Sequence, residues 1–369
     1  TNKLVLEDYL PTALLEQYHF SSLADSIRFI HYPPPDVSLA DLQDNKHSMK
    51  QRLIFEELLT HILSLRQLRQ RVKEKTACVI TPSLKFSEIF LKKLAFDLTG
   101  AQKRVVTDIQ TDLVKPFPMQ RLVQGDVGSG KTVVAALAAL QVIESGYQVA
   151  IMAPTEILAE QHYTNFVQWF APLGINVAWL TGKLKAAPRR EALNMLVTAE
   201  ASLAVGTHEL FQDDVEFKNL ALVVIDEQHR FGVHQRLALR QKGINSIPHQ
   251  LIMPATPIPR SLAMTAYADL DYSVIDELPP GRTVIKTAVL AEDKRSEVIE
   301  SVRKSSRQGN QVYWVCTLSE ESAAIQCQAA EDPAVLLQAL LPELTGRLGH
   351  VRMKRHAKQA VMSAFEEVS

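Results

Sequence analysis

The sequence predicts an α/β fold built on a doubly wound parallel sheet. Three observations predict it: a glycine-rich loop between a short strand and an apolar helix, further apolar strands that alternate with helical stretches, and one strand that ends in two carboxylates. The alternation of strands and helices predicts that helices cover both faces of the sheet. The chain has 369 residues, enough for two or three domains of about 150 residues each.

The glycine-rich loop fits the phosphate-loop pattern of Gly, four residues, Gly, Lys and then Ser or Thr. A short strand at 121–123 precedes it, and the apolar run 133–140 predicts a buried helix after it. Such a loop turns backbone N–H groups and the positive end of a helix dipole toward phosphates. Lys131 is predicted to reach the β- and γ-phosphates, and the Thr132 hydroxyl to bind Mg²⁺. The residues predicted to cradle the phosphates are Gly125, Asp126, Val127, Gly128, Ser129, Gly130, Lys131 and Thr132.

The strand that ends in carboxylates spans 221–225 and is followed by Asp226 and Glu227. Asp226 is predicted to hold Mg²⁺ directly or through water, and Glu227 to activate or orient the attacking water. An Asp-Glu pair alone is also typical of a helix cap. Since a phosphate loop lies upstream, the catalytic interpretation is the stronger one.

Composition gives the chain no overall electrostatic preference for nucleic acid, because 40 Lys and Arg balance 41 Asp and Glu. Binding to DNA would therefore need local contacts. The three cysteines, Cys78, Cys316 and Cys327, match no disulfide framework and no metal-ligand spacing, which favours a reducing, cytoplasmic setting. No segment has the pattern of a membrane span or a signal peptide, so we expect no membrane partner.

The domain organisation predicted from these patterns has three parts: a linker region at 1–98, a doubly wound sheet domain at 99–281 and the start of a second domain at 282–369. The linker region contains the stiff connector His31–Pro35 and a long amphipathic helix from Ser48 to Lys73. The apolar stripe of that helix consists of Phe55, Leu58, Ile62, Leu65, Leu68 and Val72.

The strands predicted for the sheet domain lie at 121–123, 149–152, 177–180, 203–205, 222–225 and 250–253. The proline-rich stretch 278–282 is the predicted linker to the second domain. That domain is predicted to contain strands at 283–290 and 311–316 and helices at 294–303 and 322–330. These elements are too few to close a second sheet of similar size, so the second domain is predicted to be incomplete.

Several motifs resemble those of superfamily-two helicases. The segment 226–229, Asp-Glu-Gln-His, resembles the DExH box of that family. The segments 153–162 and 205–208 resemble the motifs that contact a single strand, and 98–102 resembles the motif in which a Gln contacts adenine. Longer strings at 125–132, 226–236 and 255–260 are similar to the RecG type within the superfamily, the ATP-dependent helicases that remodel branched DNA.

This resemblance implies a RecA-like fold for the sheet domain, with ATP and Mg²⁺ as cofactors and forked or branched DNA as partner. It implies a monomer in the bacterial cytoplasm, associated with the nucleoid, that acts in replication fork reversal and Holliday junction branch migration. The resemblance assigns Gln102 to adenine, and Lys131, Asp226 and Glu227 to hydrolysis. The residues that it assigns to the coupling of nucleotide to DNA are Gln228, His229 and Thr256. Those that it assigns to contacts with the DNA backbone are Pro154, Thr155, Thr207 and His208.

Two positions depart from the pattern of that family. Pro254 stands where Ser or Thr precedes Ala-Thr, and Val351 stands in place of Gly between His350 and Arg352. The resemblance also leads us to expect an N-terminal wedge domain and later arginine-bearing motifs that this sequence does not contain. Two alternatives remain open at this point: a transcription-repair coupling translocase, and a catalytically silent remnant that binds nucleotide or DNA.

Overall fold

The computed structural model describes residues 6–35, 37–38, 47–81, 85–227, 246–254, 270–277, 285–315, 334–349, 353 and 355–366. The chain divides into two compact units, Thr1–Arg282 and Thr283–Ser369. Within the described ranges, no helix is both long enough and apolar enough to cross a bilayer.

The first unit is built on a parallel sheet of seven strands. The strands are β1 (Gln120–Gly125), β2 (Gln148–Met152), β3 (Val177–Leu180), β4 (Leu203–Gly206), β5 (Leu220–Asp226), β6 (His249–Met253) and β7 (Asp271–Ile275). Their order across the sheet is β3-β4-β2-β5-β6-β1-β7. All six predicted strands are confirmed, and together with the parallel pairing they confirm the predicted fold class.

Eight α-helices are described in this unit. They are α1 (Thr12–Gln17), α2 (Leu23–His31), α3 (Ser48–Lys73), α4 (Lys85–Lys93), α5 (Gly100–Leu113), α6 (Lys131–Glu144), α7 (Glu156–Phe170) and α8 (Ala186–Thr198). Helix α5 begins with a capping box, in which the Thr99 hydroxyl accepts the N–H of Gln102 and the Gln102 side chain accepts the N–H of Thr99. The predicted bounds of the long helix α3 are confirmed.

The core of the first unit lies on both faces of the sheet, because alternate residues of a strand point to opposite sides. In β5, Leu222 and Val224 belong to one apolar cluster, while Val223 and Ile225 belong to the other. Helix α6 covers the first face and is buried from Val133 to Ile143. That cluster also includes Ile80 and Phe90, so side chains that precede position 99 are part of the core of the sheet domain.

Strand β7 was not predicted from the sequence. It pairs with β1 from Arg121 and Asp271 to Gly125 and Ile275, but its residues alternate between exposed and buried and include polar side chains. A buried polar contact attaches it to the sheet, since Arg121 Nη1 donates to Ser273 Oγ at 2.6 Å. An edge strand held in this way lacks the apolar run by which the other strands were recognised.

The amphipathic helix α3 does not bury the predicted apolar stripe among the described residues. Leu58, Ile62 and Leu68 are about half exposed, whereas the one buried side chain of the helix is Arg52. Arg52 donates to Asp8 Oδ1 at 2.6 Å and to Glu56 Oε2 at 2.5 Å. The periodicity therefore predicted the helix correctly, and Phe55 of the stripe packs against Tyr18 and Phe20, but the stripe as a whole is not buried.

The second unit contains α9 (Arg295–Arg307), helical residues 334–340 and α10 (Arg355–Glu366). The helix predicted at 294–303 is confirmed. The strands predicted at 283–290 and 311–316 are wrong over their described residues, since 285–290 and 311–315 have no strand structure. Strands need a hydrogen-bonded neighbour, and no described residue of this unit pairs with either segment. The predicted helix at 322–330 and linker at 278–282 lie outside the described residues.

Candidate active site

The phosphate loop and the two carboxylates meet at one edge of the sheet. All strand pairs are parallel, so β1 and β5 both end at the carboxyl edge, where β6 lies between them. The register pairs Asp226 with Met253, and the N–H of Glu227 donates to the Met253 carbonyl at 2.9 Å. In open parallel sheets this edge is where ligands bind.

The phosphate loop has the backbone that its glycines were predicted to provide. Gly128 and Gly130 have φ of 79° and 84°, in the left-handed region, and α6 begins directly after Gly130. A Cβ on Gly125 would lie 2.4 Å from Ser129 Oγ. The Ser129 hydroxyl is buried and has no partner within the described part of the chain. A tight loop at the N-terminus of a helix fits a phosphate group.

Lys131 lies within this loop. Its Nζ donates to the carbonyls of Gly125 at 2.6 Å and Asp126 at 3.0 Å. Burial lowers the pKa of Lys131, while the negative charges of Asp226, Asp126 and Glu227 act in the opposite direction. The ammonium group is thus placed between the loop and the carboxylates, where a triphosphate would bring compensating negative charge.

The carboxylates after β5 are held by contacts on both sides. Asp226 Oδ2 lies 2.8 Å from His162 Nε2, and the Asp226 side chain is 15% exposed. Glu227 has a φ of 53°, a conformation that is strained for a residue with a side chain. Such strain is common where a side chain must be aimed at a reacting group.

The donor set at this edge fits Mg²⁺. The ion prefers oxygen ligands and is usually held by one or two carboxylates together with substrate phosphates. Thr132, at the start of α6, supplies a hydroxyl, and Asp226, at the end of β5, supplies a carboxylate. In the part of the chain that the structure describes, no group of three or more His, Cys, Asp or Glu forms a ready metal cage.

Gln102 is 1% exposed, and the protein itself occupies both ends of its amide. Its Oε1 accepts the N–H of Thr99 at 2.9 Å, and its Nε2 donates to the Ser129 carbonyl at 2.8 Å. The adenine contact stays a prediction. The structure shows in addition that Gln102 joins the start of α5 to the phosphate loop.

The sequence did not predict a further contact to α5, made by Glu277. Its Oε2 accepts the N–H of Ala101 at 3.0 Å, and its Oε1 lies 3.4 Å from Arg104 Nη1. The backbone N–H of Ala101, followed by Arg104, lowers the pKa of Glu277. No local motif marks this residue, because its partners lie far away in the sequence.

The predicted DNA contacts lie on the other half of the same edge. Pro154 and Thr155 follow β2, while Thr207 and His208 follow the adjacent strand β4. Thr155 caps α7 by accepting the Leu158 N–H at 3.4 Å. Thr207 is 4% exposed, so its side chain offers little surface, whereas the His208 side chain is 58% exposed. All four roles stay predictions.

Three predicted coupling residues, Gln228, His229 and Thr256, lie outside the described residues, as does Val351. Pro254 is described and is buried directly after β6. The roles of the three coupling residues also stay predictions.

Comparison with known proteins places this geometry in a family context. Residues 99–266 match the DEAD/DEAH box helicase family. The fold is also that of a DEAD-box helicase, Mss116 bound to single-stranded RNA and UDP-BeF, with a TM-score of 0.55 and 15% identity over 78% of this chain and 62% of that one. Fold, phosphate loop and family match together identify the sheet domain as a RecA-like domain of the DEAD/DEAH box helicase family.

Within that class the chain is similar to proteins of the RecG type over nearly its whole length. It is 55% identical to the ATP-dependent DNA helicase RecG of Pasteurella multocida over 95% of this chain and 51% of that protein. It is 53% identical to RecG of Haemophilus influenzae over 99% of this chain and 53% of that protein. A solved structure of RecG bound to a three-way DNA junction matches with a TM-score of 0.77 and 36% identity, over 98% of this chain and 46% of that one. The chain spans about half the length of the curated relatives it matches.

Proposed function

We propose that this chain supplies the ATP-binding half of a DNA helicase or translocase that acts on branched DNA, in fork reversal and Holliday junction branch migration. The observation that carries the proposal is the convergence of the phosphate loop, Asp226 and Glu227 at one edge of a parallel sheet. The RecG relatives and the RecG structure with a three-way junction support branched DNA as the partner.

In the proposed reaction, the oxygen of a water molecule attacks the γ-phosphorus of ATP, and the bond to the β,γ-bridging oxygen breaks to release ADP and phosphate. Glu227 accepts a proton from the water or orients it, and Lys131 binds the β- and γ-phosphates. Mg²⁺, held by Thr132 and Asp226, would neutralise charge that develops on the phosphates. Gln102 holds the Ser129 carbonyl and so keeps the loop in place.

In the proposed DNA complex, one strand crosses the carboxyl ends of β2 and β4. His208 presents a side chain that is 58% exposed, and Thr155 supplies a hydroxyl after β2. Contacts of this kind go to the sugar-phosphate backbone and do not depend on base sequence. They also explain how a chain with a formal net charge of −1 could bind DNA. We propose that the protein is a monomer, and we place it in the bacterial cytoplasm because its RecG relatives are bacterial.

The test is ATP hydrolysis by the 369-residue chain with no DNA, with linear duplex and with a three-way junction. Stimulation should be greatest with the junction. Lys131→Ala should lower stimulated turnover by roughly 10²–10³-fold, the scale for loss of one charge-stabilising donor. Lys218→Ala, which removes an exposed lysine far from the loop, should leave turnover unchanged.

The assay also separates the proposal from its alternatives. No stimulated turnover, together with nucleotide binding that Lys131→Ala abolishes, would favour the silent remnant, for which the buried Pro254 is the structural argument. Equal stimulation by linear duplex and junction would favour a translocase without preference for branches.

A further inference from the structure

A buried histidine from a neighbouring helix contacts the carboxylate predicted to hold Mg²⁺. His162 lies in α7 and is 7% exposed, and its Nε2 is 2.8 Å from Asp226 Oδ2. Because a carboxylate oxygen accepts, the N–H at Nε2 is the donor. The bond joins residues that are 64 positions apart in the sequence.

The hydrogen bond uses one of the two oxygens of Asp226 and restricts rotation of the carboxylate. The other oxygen, Oδ1, remains for a metal. Hydrogen-bond partners of metal-binding carboxylates orient the ligand, and their loss typically costs 10–100-fold in metal affinity. A histidine at this position can therefore act on Mg²⁺ without touching it.

The surroundings of His162 show that packing alone does not explain a histidine here. The ring lies on the buried side of α7, 6.4 Å from the ring of Phe166, which is fully buried. Its Nδ1 is buried and has no partner within the described part of the chain. A buried polar atom without a partner costs free energy that an apolar side chain would avoid. The bond to Asp226 is thus the feature that the imidazole provides.

We propose that His162 is a positioning residue: its hydrogen bond holds the Asp226 carboxylate in the orientation that Mg²⁺ binding requires. Through this bond, the predicted Mg²⁺ ligand Asp226 is joined to α7, the helix that is capped by Thr155, one of the predicted DNA contacts. The proposal rests on the role that the proposed function gives to Asp226. It predicts a change in metal affinity and no change in the affinity for the nucleotide without metal.

The experiment measures Mn²⁺ binding by electron paramagnetic resonance in the presence of saturating ADP, and ADP binding in EDTA. His162→Leu removes the donor. His162→Gln places an amide N–H close to the position of Nε2, whereas the shorter His162→Asn does not reach it. Phe166→Leu is the matched control, because it changes packing one helical turn away and leaves the contact with Asp226 intact.

Mn²⁺ affinity should fall by about 10–100-fold in His162→Leu and His162→Asn and recover most of that loss in His162→Gln. Phe166→Leu should bind Mn²⁺ like the wild type. ADP affinity in EDTA should be the same in all five proteins. If His162→Leu fails to fold, the comparison of Gln with Asn still decides the question, since both are polar amides that differ in reach.

Wild-type Mn²⁺ affinity in both His162→Leu and His162→Asn would overturn the proposal while the proposed function stood. An equal loss in Gln and Asn, or the same loss in Phe166→Leu, would also overturn it, since packing would then be the cause. If the wild-type chain with ADP binds no Mn²⁺, the metal role of Asp226 fails, and this inference fails with it.

Discussion

On one half of the carboxyl edge, hydrogen bonds from buried side chains hold the loop after β1 and the Asp226 carboxylate after β5, whereas on the other half the segment after β4 presents the exposed side chain of His208. Gln102 holds the loop at Ser129, and His162 holds Asp226. His208, by contrast, is mostly exposed. The first half, which we call the nucleotide half after its proposed ligand, has groups in fixed positions, as phosphoryl transfer demands. The second half, which we call the strand half because the predicted contacts to a DNA strand lie there, suits contacts to a DNA backbone that do not depend on base sequence.

The largest effect that we predict concerns Gly206, at the end of β4 on the strand half. A Cβ at this position would lie 2.0 Å from the Leu180 backbone oxygen, which cannot move without a shift of β3. Gly206→Ala should lower the free energy of unfolding by about 3 kcal/mol, at the upper end for overpacked sites. Urea unfolding followed by circular dichroism measures it.

Gly349→Ala is the control for that change, because a Cβ at Gly349 meets nothing within 4 Å. It should leave the urea midpoint unchanged. Equal midpoints for Gly206→Ala and the wild type would show that the backbone of the strand half can shift at little cost. The strand half would then be less rigid than the close contact between Gly206 and Leu180 indicates.

A smaller effect is expected for Gln102→Leu on the nucleotide half. The change leaves the Ser129 carbonyl without its buried donor, which should cost about 1–3 kcal/mol of stability and weaken nucleotide binding. Gln141→Leu is the matched control, because Gln141 is fully buried and neither of its amide atoms has a partner in the described part of the chain. Its loss should be neutral or stabilising. The same destabilisation in both variants would mean that shape, rather than the hydrogen bond, matters at Gln102.

The third prediction is that the free energy of unfolding depends on pH through a histidine of β6, the strand that lies between β1 and β5. His249 begins β6, where its Nδ1 accepts the Met119 N–H at 3.0 Å and its Nε2 donates to the Cys78 carbonyl at 2.7 Å. Burial lowers the pKa of His249 below its ordinary value of 6.5, although the Cys78 carbonyl and Asp112 oppose that shift.

A histidine whose pKa is lowered in the folded state stabilises the fold above pH 6.5, because the unfolded chain takes up a proton first as the pH falls. The free energy of unfolding should therefore decrease from pH 7 downwards through 6.5 until the pKa of the folded state is reached. His249→Gln should show a shallower decrease over this range. Parallel pH profiles of the two proteins, measured by urea unfolding, would rule out His249 as the cause.

The smallest effect is expected for His208→Ala on the strand half. Removal of one exposed contact should weaken binding to junction and linear DNA alike, and reduce the slope of log affinity against log salt by at most about 1. Nucleotide affinity should not change, since no contact among the described residues joins His208 to the phosphate loop. A loss of nucleotide binding in this variant would contradict the separation of the two halves.

Much of the fold and of the candidate site could be predicted from local sequence patterns. The loop that ends in Lys131 and Thr132, and the apolar strand before Asp226, are contiguous stretches in which spacing alone restricts the structure. The six apolar strands were found for the same reason. Strand β7 was missed because its polar residues are satisfied by distant partners, with Ser273 bound by Arg121. The strands predicted at 283–290 and 311–316 were apolar enough, but their described residues have no neighbour with which to pair.

The sequence by itself determined the chemistry of the edge: a glycine loop, a lysine, a hydroxyl and two carboxylates, in an order that a parallel sheet brings together. Only the tertiary structure decided which side chains hold these groups. The contacts of Gln102 with Ser129, of His162 with Asp226 and of Glu277 with Ala101 each join residues far apart in the chain. Hydrogen bonds of this kind depend on how helices pack over the sheet, and that packing has no local pattern in the sequence.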